Sequence, residues 1–134
     1  MNAAAGALLG ASLLASLAAC SPAGAVTAVD QKAGRCLAAY GWALDLATRG
    51  GDADLATAMV ARGMFDTEML KRSGGSPTAA QAEATAFILA HGGDFDRMSA
   101  VAAECMKAQE ADPIFRANRT MLLERARVAQ AAVH

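Results

Sequence analysis

Apolar residues recur at helical spacing through almost the whole chain beyond residue 30, and paired glycines interrupt that rhythm. Cys36, Tyr40, Ala43, Leu44 and Ala47 share one face of a helix expected from Asp30 to about Thr48. Gly50 and Gly51 end it, and Asp52 follows at an N-cap position, with Asp54 in the first turn of a second helix, near the positive end of its dipole. That second helix runs through Leu55, Met59 and Val60. From Gly63 to Arg72 two readings stand: Asp66 caps a short third helix carrying Met69 and Leu70, or the second helix continues. Ser73-Gly74-Gly75 breaks the chain, and Ser76-Pro77 supplies a capping hydroxyl followed by proline at the first helical position. The helix so started passes through Phe87, Ile88 and Leu89 to His91, where Gly92 and Gly93 stop it.

Asp94 caps the next helix, whose Phe95, Met98, Val101, Ala102, Cys105 and Ala108 form an amphipathic stripe. Asp112-Pro113 repeats the cap-then-proline signal, and Phe115, Leu122, Ala126, Ala129 and Val133 share a face of the last helix. Gly50-Gly51-Asp52-Ala53-Asp54 returns as Gly92-Gly93-Asp94-Phe95-Asp96. Two readings apply, a duplicated helical hairpin or a double glycine and an aspartate serving twice as punctuation. Gly93 to Asp96 with Asp112-Pro113 resembles the second helix of a tetratricopeptide repeat. Met98 in place of that family's small alanine and a proline about three residues late keep the family from being assigned.

Alanine makes up about a quarter of the chain, aromatic residues 4%, and no β-branched runs mark strands, so the expected fold is all-α. The length beyond the first nineteen residues suits one core. We therefore expect a small closed bundle of four to five helices joined by glycine-rich turns, over residues 30–134. The formal net charge of -1 argues against a general nucleic-acid binder.

The first 29 residues are different. No charged residue occurs before Asp30, and Ala3 to Ala19 contains only Ala, Gly, Leu and Ser. A short apolar stretch of this kind is an export signal rather than a permanent membrane span, which needs about 20 apolar residues. It ends in Leu17-Ala18-Ala19-Cys20. A leucine, two small residues and a cysteine resemble the processing site of a bacterial lipoprotein. The resemblance implies removal of residues 1–19 and lipidation of Cys20, with residues 20–29 a small-residue tether. It further implies a periplasm-facing domain anchored in a membrane, with Ser21 favouring the outer one. The competing pattern, Ala23-Gly24-Ala25, implies cleavage after Ala25 and a soluble periplasmic protein.

Three cysteines are odd in number, and setting Cys20 aside leaves Cys36 and Cys105 as a pair. In an oxidising compartment a disulfide between them is expected, the alternative being two buried thiols packing as small apolar groups.

Candidate chemistry is sparse. A nucleophile needs a positioned base, and the two histidines are His91, at a helix C-terminus where it complements the dipole, and the terminal His134. Neither paired histidines nor close cysteine pairs offer a metal site, the aspartate pairs lack the spacing of a calcium loop, and no C-x-x-C-H is present to attach haem. No metal, cofactor or catalytic function is therefore expected. Two features offer a partner surface: the Met64, Phe65 and Met69 cluster, and Arg116, Arg119, Arg125 and Arg127 on the last helix. Each has an ordinary structural explanation, core filling and a solvated charged face. The expected function is an accessory or binding subunit of an envelope assembly, or a soluble chaperone-like or inhibitor-like binder.

Overall fold

The structure, a computed structural model, describes residues 26–133. Five helices follow one another: α1 (Ala28–Arg49), α2 (Ala53–Arg72), α3 (Pro77–His91), α4 (Phe95–Ala111) and α5 (Pro113–Val133). The export signal, Cys20 and residues 20–25 of the expected tether lie outside the described residues.

Local capping chemistry sets most boundaries. The Asp52, Ser76 and Asp94 side chains accept from the backbone N–H groups of Leu55, Ala79 and Arg97. α1 begins two residues earlier than expected, because Thr27 is its cap and Asp30 is the reciprocal partner in a capping box. The expected tether is correspondingly shorter. Asp30 does a second job: its carboxylate accepts the backbone N–H of Ser76 at 2.8 Å, tying the start of α3 to the start of α1. That bond and the Thr27 bonds hold the buried Asp30 carboxyl below its ordinary range. α2 runs unbroken through Gly63 and Asp66, so the short third helix is absent. An interior glycine costs a helix only about 1 kcal/mol, which twenty residues of continuous packing absorb.

α1 is the centre of the bundle, with α2, α3 and α4 packed around it and α5 lying along α2. α3 runs beside α1 in the same direction, since Asp30 meets Ser76 and Gly34 meets Ala80 and Ala84. α5 runs antiparallel to α2, with Phe65 edge-on to Phe115 at one end and Thr57 bonded to Gln130 at the other. Two apolar clusters result. Ala39, Tyr40, Met59, Val101, Ala102 and Cys105 fill the space between α1, α2 and α4, and Ala61, Phe65, Phe115, Leu122 and Ala126 fill that between α2 and α5. A disulfide joins Cys36 to Cys105 with a Cα–Cα distance of 5.6 Å. Its sequence separation of 69 corresponds to about 4 kcal/mol of loop-closure entropy removed from the unfolded chain.

Several expected core positions are exposed instead. Phe95 stands at the first position of α4, 63% exposed, with one ring edge against Trp42. Ala129 and Val133 are exposed although α5 still lies beside the first turns of α2 at Gln130 and Ala131. Ala108 faces the grooves beside the disulfide. The two Gly-Gly-Asp turns are built differently. Gly51 takes φ +72°, closing a packed α1–α2 hairpin, whereas neither Gly92 nor Gly93 has positive φ, and α3 and α4 barely touch. Shared punctuation, not a duplicated hairpin, accounts for the repeat.

Alanine and glycine allow α1 and α3 to pack closely. A Cβ at Gly34 would stand 2.6 Å from the Glu83 Cβ and 2.8 Å from the Ala80 carbonyl oxygen. Gly34→Ala is expected to destabilise the protein by about 2 kcal/mol, through overpacking that outweighs alanine's better helix propensity. Urea denaturation checks this, and an unchanged or raised midpoint would mean that α1 and α3 do not meet at Gly34.

Candidate functional site

The α1–α4 seam carries a groove on each side of the disulfide. One, of about 410 Å³, is walled by Val29 and Ala33 of α1, Phe65, Met69 and Leu70 of α2, and Ala108 of α4, with Cys36 and Cys105 also lining it. Lys32, Asp66, Gln109 and Asp112 supply its polar positions. The second, of about 420 Å³, shares Lys32, Cys36, Cys105 and Ala108 and is completed by Arg35, Val101 and Glu104. The volumes are within the range of small-ligand sites, and the mixture of apolar wall and few polar groups is of the same kind.

Beneath the first groove α2 and α4 are joined by a buried polar bridge. Gln109 donates to the Arg62 carbonyl at 2.9 Å and to the Asp66 carboxylate at 2.8 Å, and accepts from the Arg62 guanidinium at 3.0 Å. The other arm of Arg62 meets Glu110 at 2.7 Å, and Arg119 of α5 reaches the same carboxylate. Arg62 and Arg119 also both lie over the Phe115 ring. Hydrogen bonding by Arg62, with Arg119 adding its charge, holds Glu110 below the usual carboxylate range. Asp66 behaves oppositely. Burial pushes its carboxyl up, against the lowering effect of the Gln109 bond and of the Arg62 and Lys32 charges, and Asp112 adds to the rise. Tyr40, only 2% exposed, has a hydroxyl with no hydrogen-bond partner among the described residues. Its pKa is raised first by burial and then by the charge of Asp66.

The expected partner surface does not assemble. Phe65 is 6% exposed and belongs to the α2–α5 core, and Met64 and Met69 pack half-buried against the same cluster, so these side chains are core filling. Phe65 and Met69 reach the surface in the wall of the first groove. Arg119 is committed to Glu110 and Phe115, and Arg127 pairs with Glu124 at 3.3 Å. Arg125 lies beside Met64 in a shallow hollow between α2 and α5. At 100° per residue it projects from the side of α5 opposite Arg116 and Arg127, so the four arginines form no single patch. His91 sits in the last turn of α3 with its ring edge-on to Phe87. Among the described residues no group of three or more His, Cys, Asp or Glu side chains could hold a metal ion.

The bridge was the part hidden from sequence reasoning. One signal was present: Gln109 stands four residues after Cys105, a polar residue continuing the apolar stripe of α4.

Comparison with family models, curated proteins and solved structures finds no match to this chain.

Because the Asp66 pKa is raised on folding, its charged form weakens the fold, and stability falls as pH rises from the ordinary aspartate range through the raised value. Asp66→Asn is therefore expected to be at least as stable as the wild type at neutral pH. The difference should close in acid, where Asp66 is protonated in both states. Denaturation at the two pH values reads this directly. A variant weaker than wild type at neutral pH would show that the Arg62 and Lys32 charges outweigh burial.

Proposed function

We propose that this chain is a lipid-tethered, non-enzymatic helical domain of the bacterial periplasm, acting as an accessory or binding subunit of an envelope assembly. The observation that carries the reading is Leu17-Ala18-Ala19-Cys20, standing seven residues before the Thr27 cap of α1. That interval is a short uncharged spacer between a lipidated cysteine and a folded domain. The pairing of Cys36 with Cys105 supports the same address, because it leaves Cys20 as the odd cysteine and uses the others in a bond suited to an oxidising compartment.

A binding role rests on the grooves beside the disulfide, which offer concave, largely apolar surface. Among the described residues they bring no nucleophile together with a histidine base. Asp66, the groove carboxyl whose pKa is raised, is held by Gln109 within the bridge between α2 and α4. No helix among the described residues is long and apolar enough to cross a membrane, so attachment falls to the segment before Thr27.

Cys20→Ala is expected to move the protein from the membrane fraction to the unprocessed or soluble pool, with the disulfide intact. Fractionation of cells expressing each form, with thiol labelling before and after reduction, checks both points. A wild type already in the soluble fraction, and not moved by the substitution, would favour cleavage after Ala25 and a soluble periplasmic protein.

A further inference from the structure

The helix directions sort the surface charge. Val29, Lys32, Ser73 and Asp112 line one groove, and Asp30 bonds Ser76, so the starts of α1, α3 and α5 and the ends of α2 and α4 lie at one end of the bundle. Lys32, Lys71, Arg72, Lys107 and Arg116 belong to these terminal turns and are exposed. They include all three lysines of the chain. Of the acids nearby, Glu110 is engaged by two arginines and Glu68 by Lys71 at 3.7 Å, Asp112 caps Ile114 and Asp30 lies within its capping box, while the exposed Glu104 faces Lys32 and Arg35 across the second groove. Lys32, Arg72, Lys107 and Arg116 form no ion pair among the described residues.

The opposite end holds Asp45, Asp52, Asp54, Asp94 and Asp96, all exposed, around the α1–α2 and α3–α4 turns, against two exposed bases, Arg97 and the Arg49 that pairs with Asp45. Its location is fixed by Gly51 and Asp52 sharing a hollow with Gln130, and by Phe95 lying on Trp42. The 22 residues of α1 separate the ends by about 33 Å. The chain enters at the basic end, where Thr27 caps α1. Cys20 is seven residues away, a reach of at most about 25 Å.

We propose that this basic end seats on an anionic phospholipid surface, holding the bundle upright with Trp42, Phe95 and the aspartates directed away from the bilayer. The inference rests on the tether reading above, and adds a second, electrostatic attachment to the lipid one. Basic residues near an anionic surface contribute about 1 kcal/mol each, which adds an orienting attachment beside the lipid anchor. Val29 and Ile114, both exposed at this end, add apolar contact at the headgroup boundary.

The test uses the full protein as extracted from its membrane, incorporated into phosphatidylcholine vesicles with and without phosphatidylglycerol. Acetylation of Lys32, Lys71 and Lys107 is followed by peptide mass spectrometry, and carboxyl labelling of Asp52 and Asp94 marks the opposite end. Seating is expected to slow the lysines severalfold in phosphatidylglycerol vesicles only, leave the aspartates unchanged, and disappear in high salt. The double variant Arg72→Gln, Arg116→Glu should abolish the protection. Both side chains are exposed, and an acid at 116 lies near a helix N-terminus, so an unchanged circular dichroism melt is expected to accompany that loss. Equal lysine rates in both vesicles overturn the seating, and so does protection confined to the native envelope, which would mark a protein neighbour. The intact mass of the same sample separates the two readings. An acyl group on Cys20 with unprotected lysines sinks the seating alone, whereas absence of the acyl group and of vesicle retention sinks the tether.

Discussion

The bond between Cys36 and Cys105 is the constraint on which the bundle depends, because the residues that pack around α1 are small. Ala38, Ala39, Ala80 and Ala84 are almost completely buried, and each removes little apolar surface from water. Small side chains allow close approach, as at Gly34, but close approach alone gives a modest core in a chain of this size. α1 has extensive neighbours in α2 and α3 and a thinner seam with α4. The disulfide sits in that thinner seam, in the same cluster as Tyr40, Met59 and Val101. The covalent link keeps α4 from parting from α1 in partly opened forms, besides restricting the unfolded chain.

A second device holds α2 to α4 where few of their backbones meet. Arg62, Gln109, Asp66 and Glu110 form a bridge whose hydrogen bonds are mutually satisfied, apart from the burial cost carried by Asp66 and the orphan hydroxyl of Tyr40. Buried polar groups of this kind weaken a fold when left incomplete and fix the register of its helices when complete. Their position under the groove means that the polar side of the candidate site is also the brace between the two helices, and that Asp66 serves structure before chemistry.

Much of this fold is legible in the sequence because its boundaries are made by local chemistry. Asp52, Ser76-Pro77 and Asp94 act within three residues of themselves, and Cys36 and Cys105 stand as the expected pair once Cys20 is set aside. The start of α1 was also written locally, in Thr27 and Asp30, but as an aspartate form of the capping box that reads equally as a helix beginning at Asp30. Gly63 could not settle whether α2 ends or continues, since the answer lies in what packs against it. The candidate site was less legible. Arg62 and Gln109 meet across 47 positions, and hydrophobic periodicity carries no information about such a pair. Met64, Phe65 and Met69 are largely covered once α5 is laid over them, and Phe65 and Met69 contribute instead to the wall of the groove. The charge sorting is similarly invisible along the chain, where acids and bases alternate, and emerges once helix directions are known.

The most direct measurement is native-state hydrogen exchange of the protein with the Cys36–Cys105 bond intact and after reduction and alkylation. If the bond holds α4 against a core otherwise centred on α1, the amides of α4 from Met98 to Met106 will lose protection first on reduction. Those of α1, α2 and α3 will keep most of theirs. Equal loss through all five helices, or no change in α4, would contradict the account. Equal loss would mean that the bond stabilises the bundle as a whole without holding α4 in particular, and no change would mean that the alanine-rich core alone sets the cohesion.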